Sequence, residues 1–251
     1  MDRPLLFFLF SFIVMGLATR VGITLSRWHR EKPDELHDTF GVLQASSLTL
    51  LGLIIAFTFS MAVSRYDQRK IYEEEEANAI GTEYARIDLL PAASAAKLRP
   101  LLLSYLDQRI LFYEAREPSQ LRQIDIRKRQ LQSALWAEVV VPTTAQQTPV
   151  IALTVSGMND VLNSEGYTQA AWWNRIPLSA WALTGIIAIF CNLLVGYGAP
   201  NLKTEPMLSL ILPFILSISF MLIADIDSPR GGLIKVSPQN LIVLAQSLRE
   251  Q

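Results

Sequence analysis

The residues in this chain of 251 that could do covalent chemistry are few. It has no His-Glu-x-x-His pair, no phosphate-cradling glycine loop and no Gly-x-Ser-x-Gly elbow, so no catalytic residue and no cofactor are expected. His29 and His37 share one short loop that has no cysteine, a weak set for a metal. Cys191 sits in an apolar run far from any histidine, which suits a small buried residue better than a nucleophile. Asp225 and Asp227 are paired carboxylates at the end of another apolar run. Two such side chains fall short of the about six to eight oxygens that calcium takes, and capping a helix end or pairing with Arg230 is a simpler use. Glu73 to Glu76 are four consecutive carboxylates. On a helix they sweep about 400° and cannot share a face. They make either a solvated surface or, through Glu73 and Glu76 at the border of an apolar side formed by Tyr66, Ala77, Ile80, Tyr84 and Ile87, an acidic ring that would favour cations in a vestibule.

Two rows upstream suggest a physical function rather than a covalent one. Gly52, Ala56, Ser60 and Ser64 recur every four residues, a small-xxx-small stripe that lets helix backbones approach closely, as ordinary helix packing requires. Beside it, Thr49, Leu53 and Phe57 have the same spacing. In a monomer they would face core or lipid. In a ring of identical subunits they could line a narrow apolar constriction of the kind that gates by dewetting.

The elements that carry these rows follow from composition. Half of the chain is hydrophobic (51%) and only 18% is charged. The charge is missing in blocks: Pro4–Thr19, Thr39–Ser64, Ile176–Leu202 and Pro206–Ala224 have none. A bilayer core needs about 20 apolar residues per helix, so the chain reads as a polytopic helical membrane protein with spans at about 4–25, 41–63, 177–198 and 206–224. A single cysteine excludes a disulfide scaffold, and 22 Lys+Arg against 23 Asp+Glu argue against a nucleic-acid partner. The run Val139–Asn159 is also uncharged, but its prolines, glutamines and threonines make it a link between soluble helices rather than a span. Arg3 and the small residues Gly16 and Ala18 resemble a signal peptide. The 2+2 arrangement favours keeping the first helix.

The domains expected are 1–63 (first pair of spans), 64–175 (a helical insert), 176–224 (second pair) and 225–251 (a tail). Arg3, Arg65, Arg69, Lys70, Arg175, Arg230 and Lys235 lie on one side; Arg27, Arg30, Lys32 and Lys203 lie on the other, with Arg20 inside the first span. The positive-inside rule puts the insert, the tail and both termini in the cytoplasm. Trp172 and Trp173 precede the third span, as an interfacial aromatic belt would. No proline occurs between Pro33 and Pro91, so the second span is expected to continue as a helix to near Leu90. Pro91, Pro100, Pro118 and Pro142 are expected at turns or first helical turns. Apolar faces follow at Leu101–Tyr113 and across Leu121, Ile124, Leu131, Leu135, Trp136 and Val139.

The segment Gly52 to Arg69 (GLIIAFTFSMAVSRYDQR) resembles the second transmembrane helix of bestrophin-like membrane proteins. Glu76 to Thr82 (EANAIGT) and Asp225 to Ile234 (DIDSPRGGLI) resemble motifs of the bacterial branch of that family, and the order of elements agrees over most of the chain. The resemblance implies a bacterial inner-membrane protein that forms a homopentamer in the lipid bilayer around one axial pore. Thr49, Leu53 and Phe57 would stand at the three neck positions. Thr49 departs from the larger apolar residues usual there and would make the outer neck more polar. Animal bestrophins bind calcium through acidic residues after a Pro-Phe-Gly turn. Here Pro229, Arg230 and Gly231 are followed by Gly232, Leu233, Ile234 and Lys235, without carboxylates, so calcium gating is not carried over.

The fold class expected is therefore all-α, with four transmembrane helices and a helical cytoplasmic insert. The function expected is passive conduction of small ions, chloride or a monovalent cation, by a homo-oligomer. The alternative is a non-conducting scaffold or sensor that works through its cytoplasmic helices.

Overall fold

A computed structural model describes residues 3–28, 34–145, 148–198 and 207–250. These form α1 (Pro4–Trp28), α2 (Asp34–Arg86), a 3-10 turn (Ile87–Leu89), α3 (Ala92–Glu114), α4 (Pro118–Ala145), α5 (Pro149–Trp173), α6 (Leu178–Gly198), α7 (Leu208–Asp227) and α8 (Gln239–Arg249). No strand occurs among the described residues. Four helices are long and apolar enough to cross a membrane, as the uncharged blocks require.

Helix α2 runs unbroken for 53 residues, about 80 Å at 1.5 Å per residue. Proline sets its limits from outside: none interrupts it, and Pro91 stands just beyond the 3-10 turn, at the start of α3. Pro118 likewise opens α4. Pro100 and Pro142 correct the expectation, because α3 and α4 run straight through them. An interior proline costs about 3 kcal/mol. The neighbouring turns offset it by burying Leu98, Leu102 and Tyr105 in one helix and Leu135 and Val139 in the other. Val139–Asn159, read as a link, consists of the end of α4 and the first part of α5, with 146 and 147 outside the described residues.

The chain divides into two compact units, Met1–Arg65 with Arg175–Lys235, and Tyr66–Asn174 with Val236–Gln251. Helix α8 of the tail thus belongs with the insert.

In the first unit α1 packs against α6 and α7. Its crossing with α6 is close because glycine faces backbone on both sides. A Cβ on Gly22 would strike the Leu193 carbonyl, and one on Gly196 the Thr19 carbonyl. Thr19 Oγ1 bonds Asn192 Oδ1 at 3.3 Å in the same buried seam. Phe7, Trp181 and Phe220 pack as an aromatic cluster, with the Phe7 and Trp181 rings 5.2 Å apart and edge to face. Cys191 is buried, and its thiol donates to the Ser47 carbonyl at 3.4 Å.

In the second unit the core is built from Ile80, Ile87, Leu98, Leu102, Tyr105, Leu106, Leu135, Val139, Met158 and Val161, with Leu241 and Ala245 of α8. Trp172 corrects the aromatic-belt expectation. It is buried against Phe112 and Tyr113, ring centroids 5.0 and 5.4 Å away, while Trp173 is exposed.

Candidate functional site

The buried face of α2 follows one repeat of three or four residues in both halves of the helix. Leu51, Thr58 and Ala62 are buried in the first half, and Arg69, Glu73, Glu76, Ile80 and Glu83 in the second, with Ile87 of the 3-10 turn continuing the row. This is the spacing of one helix face. The opposite face of the first half holds the two rows singled out in the sequence. Thr49 is exposed, as are Leu53 at 51% and Phe57 at 63%. The Thr49 hydroxyl donates to the Ala45 carbonyl at 2.9 Å, which satisfies its hydrogen within the helix.

Gly52, Ala56, Ser60 and Ser64 are exposed as well. A Cβ built on Gly52 meets no atom within 4 Å. The small row is therefore not used to pack helices among the described residues. The close approach it suggested occurs instead at Gly22 and Gly196, which the sequence reading passed over. Their signal was Ala18 four residues before Gly22, and Ala188 eight before Gly196, all on one side of their helices.

Glu73 and Glu76 correct the vestibule expectation. Both are buried, because they lie in the middle of the apolar face and not at its border. The Glu73 carboxylate accepts from the Leu241 amide at 3.0 Å and the Asn240 side chain at 2.6 Å, so it caps the start of α8. Glu76 pairs with Arg109 Nε and also accepts from Tyr113 and Thr168 at 3.3 and 3.2 Å. Burial is the largest influence and disfavours the Arg109 charge, but Glu76, Tyr105 and Glu165 together outweigh it and hold the guanidinium protonated well above its ordinary range. The same burial, with Glu76 adding to it, pushes the Tyr113 phenol up. Glu165 continues the network, 3.8 Å from Arg109 and 2.8 Å from Lys128. Of the glutamate run only Glu74 and Glu75 are exposed.

Arg69, read as part of a topological basic cluster, is buried and donates to the carbonyls of Ala171 and Asn174 at 3.3 and 3.4 Å. It thereby closes the C-terminal end of α5, where cations are favoured.

The motif after the last span is a backbone clamp. Asp225 accepts from the amides of Leu233 and Ile234 at 2.8 and 2.9 Å. Asp227 accepts from the Ile176 amide through both oxygens, at 3.1 and 3.2 Å, tying the start of α6 to the end of α7. Ser228 Oγ accepts from the Gly231 amide, in the turn that Pro229 opens. A Cβ on Gly232 would lie 2.6 Å from Asp225 Oδ1, so the second glycine admits the chain past the carboxylate. Among the described residues no three His, Cys, Asp or Glu side chains gather as a metal would need. The side chains of His29 and His37 lie outside the described residues.

The bestrophin-like domain family matches residues 6–241. Among solved structures, a bestrophin homologue from Klebsiella pneumoniae superposes with a TM-score of 0.66 at 12% identity, covering 96% of this chain and 97% of that one. A variant of a Klebsiella pneumoniae bestrophin homologue superposes with 0.64 at 13%, covering 97% and 98%. At that identity the likeness concerns the fold. No curated protein matches. With the family match over nearly its whole length and the four-span helical fold, the chain belongs to the bestrophin-like family of membrane proteins.

Proposed function

We propose that copies of this chain assemble in the membrane into a channel that passes small ions, chloride or a monovalent cation, passively down their gradient. The observation that supports this best is the exposed face of α2. A stretch with no charge, able to cross a bilayer, leaves Thr49, Leu53, Phe57 and the small row Gly52, Ala56, Ser60 and Ser64 uncovered in the single chain. Small residues gain from contact with another helix and little from lipid. A second copy supplies that helix, and the adjacent row then turns to the axis. Membership in an ion-channel-type family supports the same reading. By resemblance the ring is a homopentamer in a bacterial inner membrane, with the insert and both termini cytoplasmic. Phe57 and Leu53 form the apolar neck and Thr49 its more polar outer end. With Glu73 and Glu76 committed to the interior, any acidic bias on the ions falls to Glu74 and Glu75.

The test is the mass of the detergent-purified complex by light scattering, followed by ion flux in liposomes for the wild type and Phe57→Ala. The expected results are a mass near five chains and a severalfold rise in flux for the variant at unchanged mass, because the dewetted constriction widens. A monomer or dimer, or flux unaffected by Phe57→Ala, overturns the channel and leaves the non-conducting scaffold.

A further inference from the structure

Glu83 is the one acid in the second unit, among the described residues, that is buried with neither oxygen hydrogen-bonded. The other buried carboxylates on α2 among the described residues are in use: Glu73 on the start of α8, Glu76 on Arg109. Glu83 lies against α5 at Gly157, where a Cβ would collide with both its carboxylate and the Arg86 guanidinium. The glycine therefore makes a dry cradle for two side chains of opposite charge. They share it without a hydrogen bond between them, since neither Glu83 oxygen has a partner. A buried carboxylate without partners is costly when ionised and tolerable when neutral.

The charged groups around it are Arg86 on its own helix and Asp160 on α5. The nearby charges of the 3-10 turn and α3, Asp88 and Arg99, are bonded to each other, and Arg99 also stacks over the Tyr84 ring at 5.7 Å. Arg86 favours the Glu83 anion, whereas burial and Asp160 oppose it, and the carboxyl is pushed up to about 8.

We propose that Glu83 is a proton-operated latch on the contact between α2 and α5: neutral, it lies dry over Gly157, and on releasing its proton to solvent it draws the Arg86 guanidinium into an ion pair and loosens that contact. The ligand is a proton, and the switch sits at the C-terminal end of the 53-residue helix. The inference does not depend on conduction.

The experiment uses the full chain in detergent. Infrared difference spectra between about pH 6 and about pH 10 follow the C=O stretch of a protonated carboxyl. Hydrogen exchange, corrected for intrinsic rates, follows residues 80–90 and 153–161 over the same range. The wild type is expected to lose a carboxyl band with a midpoint of about 8, with exchange in both segments rising about tenfold or more across the transition. Glu83→Gln is expected to lose the band and keep slow exchange at every pH. Arg86→Gln, which leaves the acid in place, is expected to keep the band, move its midpoint upward and abolish the rise in exchange. A wild type without a titrating band assignable to Glu83 overturns the proposal. So does a band that titrates while exchange stays constant, or an unchanged midpoint in Arg86→Gln.

Discussion

At the scale of single residues, carboxylates that look alike in the sequence have three different fates. Asp225 and Asp227 spend their lone pairs on backbone amides, Glu76 spends its own on an arginine, and Glu83 has no hydrogen-bond partner. The last has a consequence for stability. Unfolded, the Glu83 carboxyl ionises near 4.5; folded, it keeps its proton to about 8. Below the lower value both states are protonated and folding carries no penalty. Between the two values folding takes up a proton, so stability falls as pH rises, and above about 8 the loss is complete. Glu83→Gln should remove that slope and melt higher than the wild type above the upper value. Thermal melting followed by tryptophan fluorescence over this range checks it, and parallel profiles for the two proteins would refute it. Residue type alone did not distinguish these acids, because burial of a charge depends on what packs against it. One signal was present: Arg69, Glu73, Glu76 and Glu83 keep the three-or-four spacing of Ile80 and Ile87. Charged residues in phase with an apolar face are candidates for buried pairs.

At the scale of elements, the spans could be read directly because lipid forbids charge over a length that the bilayer fixes. Helix ends within the insert could be read where proline stands at a helix start, at Pro91 and Pro118, and misread where packing outweighed it, at Pro100 and Pro142. Helix crossings could not be read, because small residues occur both where backbones meet and where they do not. Gly196→Val should therefore force α1 and α6 apart against the Thr19 carbonyl, costing about 1–3 kcal/mol or more. Gly52→Val should leave the fold of the single chain intact, since nothing lies within 4 Å. Melting of the two variants side by side decides it, and equal losses would refute the assignment of the crossing. In the insert, Glu76→Leu strands a fully buried arginine, for which about 3–5 kcal/mol is expected. Adding Arg109→Met should recover most of that loss, because Tyr113 and Thr168 carry no net charge and Glu165 keeps its ion pair with Lys128. A double variant no more stable than the single one would show that the pair is not a unit.

At the scale of the whole molecule, the uncharged half of α2 keeps one face exposed in the single chain. Helices α1, α6 and α7 pack on one another in the first unit, whereas the row at 49, 53 and 57 is exposed among the described residues. If a ring of copies supplies it, Phe57 of each subunit approaches Phe57 of the next around the axis, while Leu9, exposed at 52% on α1, faces lipid. Cysteine placed at these two positions separates the cases, because the native Cys191 is buried and hydrogen-bonded to Ser47 and should not form an intermolecular disulfide. Oxidation in native membranes should link Phe57→Cys chains into dimers at high yield and leave Leu9→Cys chains monomeric. Disulfide geometry demands Cα separations under about 7 Å, which a narrow neck reaches only as its walls breathe, so linking should be slower than diffusion yet far faster than at the lipid-facing position. Equal linking at both positions would mean random collision in the bilayer, and would leave the exposed row of α2 facing lipid.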